Sequence, residues 1–351
     1  MIFRRKKSSG LADALTELEQ GVAARDGDRT ERAFGAVIQA LQTADDPAEF
    51  AAAGPRLAAL LPQFPPIGPR AMLATTAGFC VEQGADAAAC AEPILTQVRD
   101  ELAAALEFAA RWRATGPDEL PEPDEESIDE ALLARLGDDQ YQALRLAQAW
   151  CTVEQWQAPA LAVLGRSAEV RSRHGAALLP LSRELEALEQ HDLKCLSSML
   201  AVLDDEPLLV LHRPTGTGYQ VRIGGIGDNF QLHTLLAHVL IGGGHLPGTA
   251  PSADSVHLAG DPAPADGSRS GAVATGAFEL FGGDGTRIWN EGTPDDIPVV
   301  DGHRLLVLDE PSYARSWNAD RFFPMLPGRA DLLRVLPAEE TRAWLARTTT
   351  S

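Results

Sequence analysis

The spacing of apolar residues changes near residue 206, and this change constrains the fold of the 351-residue chain more than any other feature. Before it, apolar side chains recur every three or four residues, as between Leu11 and Val22, which is the period of an amphipathic helix. After it, short alternating runs are separated by glycine and proline, a pattern typical of strands and turns. We therefore predict an α+β fold that is mostly α.

The domain boundaries follow from the same change. A multi-helical domain is predicted over residues 11–205, and a small α+β domain over 206–351. Short helices with alanine at their contacts suggest HEAT-like antiparallel pairs, although no repeat period is strong enough to define a repeat family. Within the helical domain, the acidic, proline-broken segment 116–130 is predicted to be a solvated linker. Residues 242–271 are mostly Gly, Ala, Pro and Ser and are predicted to form a mobile loop. Residues 1–10 are predicted to be a disordered basic start.

The α+β domain has recognisable local elements. Residues 208–223 predict a β-hairpin, and Asp228 begins a predicted helix. Residues 272–281 predict one strand that returns through 286–289 after a tight turn. Residues 303–310 predict a further strand, and Pro337 opens a final helix because proline loses nothing at a first helical position. No strand is predicted in the proline-rich region between these last two elements.

Charge and hydropathy exclude several classes of function. The net charge is -20 and the isoelectric point is near 4.7, so the chain repels nucleic acid over most of its surface. No run of 18 apolar residues occurs, which predicts no transmembrane segment. A basic cluster of Arg4, Arg5, Lys6 and Lys7 allows weak contact with an anionic membrane surface. Without an apolar secretion signal and with a composition typical of high-GC bacteria, a cytoplasmic bacterial protein is expected.

The cysteines indicate neither a disulfide framework nor a metal site. None of them has CxxC spacing, and all lie in apolar helical segments: Cys80, Cys90, Cys151 and Cys195. A free buried cysteine behaves as a small apolar residue, and zinc sites need closely spaced ligand pairs. We therefore expect no metal and no cofactor.

The best candidate for a ligand site is the glycine-rich turn between the hairpin and the helix. Gly224, Gly225 and Gly227 precede Asp228, and a strand that enters a helix through glycines can present free N–H groups to an anion. The turn departs from both the Walker A and the dinucleotide-binding patterns. The alternative is a structural turn in which Asp228 caps the helix and Gln231 completes a capping box.

The helix that follows carries a candidate catalytic pair. Asn229 and His233 are four residues apart and share a helix face, so the amide could orient the imidazole. A nucleophile would have to come from Cys195, Ser252 or Ser255, and nothing in the sequence places any of them near His233. The alternative is a helix whose polar residues are structural.

Two tryptophans are candidates for binding a peptide or a flat ligand. Trp289 and Trp317 each precede an asparagine in a predicted loop region, and exposed indoles are frequent anchors in interfaces. The alternative is that each indole folds back over a small β core.

These features support three hypotheses about function. The first is a non-catalytic or accessory protein whose helical scaffold presents an α+β module that binds a peptide or protein partner. The second is a transferase or hydrolase acting on an anionic or acyl substrate, with a pocket between Gly224 and His233. The third is an adaptor that is tethered to an anionic membrane surface by its basic N-terminus.

Overall fold

The computed structural model describes residues 10–261 and 271–349. The basic cluster of Arg4 to Lys7 lies outside the described residues. The fold is α+β and mostly α, as predicted. The chain divides into two compact units, Met1–Leu200 and Ala201–Ser351, and each is described by itself. Among the described residues, no helix is long and apolar enough to cross a membrane.

The first unit is built from helices. They are α1 Leu11–Ala24, α2 Gly27–Thr43, α3 Pro47–Leu60, α4 Arg70–Glu82, α5 Ala87–Ala114, α6 Glu130–Leu136, α7 Gln140–Thr152, α8 Gln157–Leu164, α9 Ala168–Glu186 and α10 Lys194–Leu200. Aspartate side chains accept backbone N–H groups at the starts of α2, α3, α5, α6 and α7. Because a carboxylate is favourable at the positive end of a helix, part of the acidity of the chain is explained by helix capping.

The acidic segment 116–130 is held against the helices. The indole N–H of Trp112 donates to the carbonyl of Glu119 at 2.8 Å, and that of Trp150 donates to the carbonyl of Pro121 at 3.0 Å. Trp150 is itself fully buried in the first unit. The segment is therefore anchored by two tryptophans at its proline-rich start.

A buried ion pair joins α5 to α7. The guanidinium of Arg145 donates to both carboxylate oxygens of Glu101, at 2.9 and 3.0 Å, and Glu101 is 3% exposed. Burial raises the pKa of Glu101, while the charges of Arg145 and Arg70 oppose the increase. The carboxylate therefore depends on its arginine partner, because an unpaired charge is strongly disfavoured in a protein interior.

The second unit contains a six-stranded mixed sheet and a two-stranded ribbon. Its strands are β1 Glu206–His212, β2 Thr217–Gly224, β3 Val273–Thr275, β4 Glu279–Gly282, β5 Val299–Val300, β6 His303–Asp309, β7 Ser316–Asn318 and β8 Arg329–Val335. The main sheet has the order β4-β6-β1-β2-β8, with β5 also pairing with β6, and β3 pairs with β7 separately. The β1 and β6 strands run parallel, and the predicted hairpin of β1 and β2 is confirmed.

Helices cover both faces of this sheet. Helix α11, Asn229–Ala237, continues into a π-helical turn, His238–Gly242, and packs on the face that carries the larger apolar core. Helix α12, Ala253–Gly260, packs against α11. On the opposite face, Trp344 and Leu345 at the end of α13, Ala338–Leu345, contact a smaller apolar cluster. The sheet is therefore the middle layer of the second unit.

Several predictions for this unit need correction. The return strand predicted over 286–289 is not formed in the described residues, where only an isolated bridge joins Phe281 and Arg287. The segment predicted as one strand over 272–281 forms β3 and β4, which belong to different sheets. The segment predicted as a mobile loop over 242–271 contains α12, while residues 262–270 lie outside the described residues. The Ser252 side chain caps α12, so a local cap and packing on α11 override the loop-like composition. Strand β8 was not predicted, since its mostly exposed side chains give a weak apolar alternation.

Candidate functional site

The start of α11 is capped as predicted, with one difference. The N–H of Gln231 donates to Oδ1 of Asp228 at 2.8 Å, which confirms the cap. The Gln231 side chain, however, accepts from the N–H of Gly227 at 2.9 Å and donates to the carbonyl of Ala259 at 2.7 Å. Gln231 thus fixes the turn and α12 together. Burial raises the pKa of Asp228 to about 6, against the hydrogen bonds that it accepts.

The remaining N–H groups at the start of α11 are also occupied. Asn229 donates its backbone N–H to the carbonyl of Gly292 at 2.9 Å, and Phe230 donates to the carbonyl of Asn290 at 3.1 Å. An anion at this helix start would need these same donors. The predicted anion cradle is therefore not formed, because the helix start binds a protein loop. We call residues 289–293 the Trp289 loop.

The three glycines of the turn allow close packing of backbone, and they leave no space for a ligand. A side chain at Gly225, whose φ is +67°, would collide with the carbonyl oxygen of Pro327. A Cβ at Gly227 would lie 3.0 Å from the Phe323 ring, and one at Gly224 would lie 3.0 Å from Nε of Arg329. Their function is therefore to let the segment 322–329 approach the turn.

Asn229 holds the Trp289 loop with its side chain as well. The residue is fully buried, and its Nδ2 donates to the carbonyls of Trp289 at 2.9 Å and Thr293 at 3.2 Å. Together with the backbone bonds of Asn229 and Phe230, four hydrogen bonds fix the loop on α11. Oδ1 of Asn229 has no hydrogen-bond partner among the described residues. Asn229 is thus a positioning residue for the loop.

The side chain of Trp289 points away from this anchor. It is 62% exposed, and the guanidinium of Arg287 lies 4.9 Å from the centre of its ring. A cation at this distance is attracted to the face of an indole. The loop therefore presents an exposed aromatic surface beside a positive charge, on a backbone that is fixed before any partner arrives.

His233 is a structural acceptor in the interior. It is fully buried, and its Nε2 accepts from the N–H groups of Ala277 at 2.8 Å and Phe278 at 3.3 Å. The ring proton must therefore lie on Nδ1, which has no partner among the described residues. Burial lowers the pKa of His233 to about 3, with a further contribution from Arg315. Two backbone N–H groups occupy the Nε2 lone pair, which is the position that would accept a proton from a substrate. His233 is therefore unable to act as a general base.

The structure does not assemble the candidate catalytic pair. In the part of the chain that it describes, Asn229 and His233 bond to other segments and not to each other. Ser255 is buried and donates to the carbonyl of Val273 at 3.1 Å, and Ser252 caps α12. Cys195 belongs to the first unit and is exposed, whereas we expected it to be buried. No proposed nucleophile is thus seen to reach the imidazole.

The two candidate tryptophans have different surroundings. Trp317 is half-buried, with its ring 5.0 Å from His233 and 5.3 Å from Phe230, so this indole folds over the core. The asparagine after Trp289 is Asn290, which is 3% exposed, and its backbone carbonyl accepts the N–H of Phe230, a contact that the sequence did not predict. An asparagine followed closely by glycine indicates a turn but not what the turn contacts.

Comparison with known proteins identifies no relative of this chain. No family model matches it, and no curated protein and no solved structure matches it either. The chemistry that the site can perform must therefore be argued from its own geometry, which is that of a fixed loop with an exposed indole.

Proposed function

We propose that the chain is a cytoplasmic, non-catalytic accessory protein of a bacterium. In this proposal, a helical scaffold with HEAT-like pairs carries the second unit, which binds a peptide or protein partner. The observation that supports it best is the 62% exposed side chain of Trp289 on a loop that α11 holds with four hydrogen bonds. An exposed tryptophan held on a fixed loop has the features of an anchor residue in a protein interface.

The distribution of exposed apolar residues supports the same proposal. Among the described residues, three large apolar side chains are exposed in the first unit: Met72, Phe79 and Tyr141. Eight are exposed in the second unit, although it is the shorter one: Val273, Trp289, Val299, Tyr313, Phe322, Met325, Leu333 and Val335. Partner contacts are therefore expected on the second unit.

The geometry of the Trp289 loop suits an anchor in an interface. Tryptophan buries a large area while few torsions are frozen, and binding residues of this kind dominate many interfaces. Because the loop is already fixed, little additional backbone entropy is lost on binding. Arg287 lies beside the indole, and its charge is already paired with Glu279 at 3.4 Å. The expected partner is therefore one with an apolar pocket for the tryptophan side chain.

The enzyme hypothesis was based on free N–H donors at the glycine-rich turn and on a catalytic His233, and neither is found among the described residues. The donors that an anionic substrate would need are taken by the Trp289 loop. The Nε2 lone pair of the buried His233 is occupied by the N–H groups of Ala277 and Phe278. We therefore do not propose a catalytic function for the turn between Gly224 and His233.

Site-specific cross-linking tests the proposal in the full-length chain. A photoreactive amino acid in place of the exposed Glu291 should capture a partner in cells, and the adduct should disappear when Trp289→Ala is added. The matched control places the same group at Tyr141, which is 59% exposed in the first unit. If the adduct survives Trp289→Ala, or if position 141 gives the same adduct, the proposal fails.

A further inference from the structure

Strand β8 ends the main sheet. It pairs with β2 on one side, and no strand of the described residues pairs with its other edge. Leu333 is 43% exposed and Val335 is 50% exposed. An open edge with apolar side chains is a template for another strand, and natural proteins usually blunt or cover such edges.

A bulge in β8 determines which side chains share a face. Arg334 is opposite Gln220, and Leu332 is opposite Val221, so Leu333 is the extra residue. Ala330 and Leu332 pack toward the core under α11, and alternation places Asp331 on the other face. Arg334 lies on that other face as well, since its guanidinium binds Glu340 of α13 at 2.7 and 2.8 Å.

The bulge therefore has a specific consequence. In a regular strand, residues three apart point to opposite faces. In β8 the extra residue brings Asp331 and Arg334 to the same face, and by alternation it brings Ala330 and Val335 together on the other face. When two copies of β8 lie antiparallel, Asp331 of one copy can therefore face Arg334 of the other on the same side of the sheet, and Ala330 can face Val335 on the other side.

We propose that β8 pairs antiparallel with β8 of a second copy of this chain. The two-fold axis passes between Leu332 and Leu333, so Asp331 of each copy faces Arg334 of the other, and Ala330 faces Val335. Opposite charges directly across two strands stabilise their pairing. A surface that complements itself in this way gives a closed, two-fold dimer.

The charges near β8 make this pairing feasible in an acidic protein. The strand carries Arg329, Asp331 and Arg334, and the two arginines pair with Asp205 and Glu340 at 2.8 and 2.7 Å. The surface at β8 is therefore close to neutral in a chain of net charge -20. Arg334 uses one N–H on Gln220 and two on Glu340. A guanidinium has five N–H donors, so two remain for the Asp331 carboxylate of the second copy. Because one strand edge is a small interface, the dimer is expected to be weak and concentration-dependent.

Sedimentation velocity of the full-length chain over a wide concentration range tests this proposal. The wild type should show a monomer–dimer equilibrium. Asp331→Lys and Arg334→Glu should each weaken dimerisation about tenfold or more, because each places like charges opposite each other twice in the dimer. An equimolar mixture of the two variants should recover dimerisation, because the introduced lysine then faces the introduced glutamate.

The controls separate this effect from damage to the fold. Arg334→Glu also breaks the pair with Glu340, so its circular dichroism must match that of the wild type. Glu310→Lys has the same charge change as Asp331→Lys at an exposed position outside β8 and outside the Trp289 loop, and it should leave dimerisation unchanged. A wild type that stays monomeric at all concentrations, or a mixture that associates no more strongly than the separate variants, would overturn the proposal.

Discussion

The two units differ in how many of their large apolar side chains are exposed. In the first unit, helices close around a core that contains fully buried Phe108 and Trp150, and only three large apolar side chains of the described residues are exposed. In the second, Tyr219 and Phe278 are equally buried, yet eight large apolar side chains are exposed. A sheet has strand edges that a helical core lacks. The proposal that the first unit is a scaffold and that the second unit binds the partner is based on this difference.

The buried polar groups differ in a parallel way. In the first unit, both oxygens of Glu101 are matched by Arg145, and the pair joins two helices. In the second unit, Nδ2 of Asn229 and Nε2 of His233 each bind the backbone of a loop segment. Oδ1 of Asn229 and Nδ1 of His233 have no hydrogen-bond partner among the described residues. Interior polarity thus joins helices in one unit and fixes loops in the other.

Removal of the Glu101 carboxylate should have the largest effect. Glu101→Ala leaves Arg145 partly buried without its partner and should lower the free energy of unfolding by about 3–5 kcal/mol. Urea unfolding followed by tryptophan fluorescence measures this change. Glu107→Ala, which removes an exposed partner of Arg111 in the same helix, should cost under about 1 kcal/mol. Equal losses in the two variants would show that burial of the pair has no special importance.

His233→Ala should destabilise the second unit by about 3 kcal/mol. The variant creates a cavity beside Phe278 and Trp317 and leaves the N–H groups of Ala277 and Phe278 without an acceptor. Urea unfolding followed by near-ultraviolet circular dichroism measures the loss. His257→Ala, which removes an exposed imidazole paired with Asp261, should change stability by less than about 1 kcal/mol. A similar result for both variants would contradict the structural assignment of His233.

Asn229→Ala should release the Trp289 loop. The carbonyls of Trp289 and Thr293 lose their donor, and we expect a loss of about 2 kcal/mol and faster amide hydrogen exchange over residues 289–293. Exchange measured by mass spectrometry shows whether the effect is local. Asn318→Ala, at an exposed position of β7, serves as the control. Unchanged exchange in the loop would mean that Asn229 does not position it.

Asp228→Asn should have an effect of the opposite sign, a gain in stability, and the size of this gain should depend on pH. The raised pKa of Asp228 means that its contribution is present below about pH 3.8 and is lost as the pH rises through about 6. Asparagine caps a helix equally well. Because the pKa of Asp228 rises from 3.8 to about 6, the variant should be more stable than the wild type at pH 7, by up to about 3 kcal/mol. The difference should vanish near pH 4. A variant that is less stable than the wild type at pH 7 would contradict this account.

His233 contributes to stability with the opposite sign. Its pKa in the folded protein, about 3, lies below the ordinary value of 6.5. Its contribution is therefore complete above pH 6.5 and is lost as the pH falls toward 3. In the wild type this loss is partly offset by Asp228, so the stability of Asp228→Asn should fall more steeply below pH 6.

Local elements of the second unit were predictable from sequence. The β1–β2 hairpin, the Asp228 cap and the helix after Pro337 are each encoded by neighbouring residues whose turn and cap preferences are strong. The exposure of Trp289 was one of two alternatives, and the sequence could not choose between them, because exposure depends on what packs around a residue.

The attachment of the Trp289 loop could not be predicted. Asn229 and Trp289 are 60 residues apart, and a single sequence contains no signal that joins an asparagine on a helix to two distant carbonyls. The same limit applies to β8, whose strand pairing with β2 crosses more than a hundred residues. In α12, a local cap by Ser252 and packing on α11 together outweigh the loop-like composition of the segment.

The affinity of the partner captured at position 291 tests the central claim most directly. Calorimetric titration of the purified partner should give a dissociation constant at least about 30-fold higher for Trp289→Ala than for the wild type, because truncation of an anchor costs about 2 kcal/mol or more. Tyr141→Ala, which removes an equally exposed aromatic side chain from the first unit, should bind as the wild type does. Equal affinity for the wild type and Trp289→Ala, or a larger loss for Tyr141→Ala, would contradict the account.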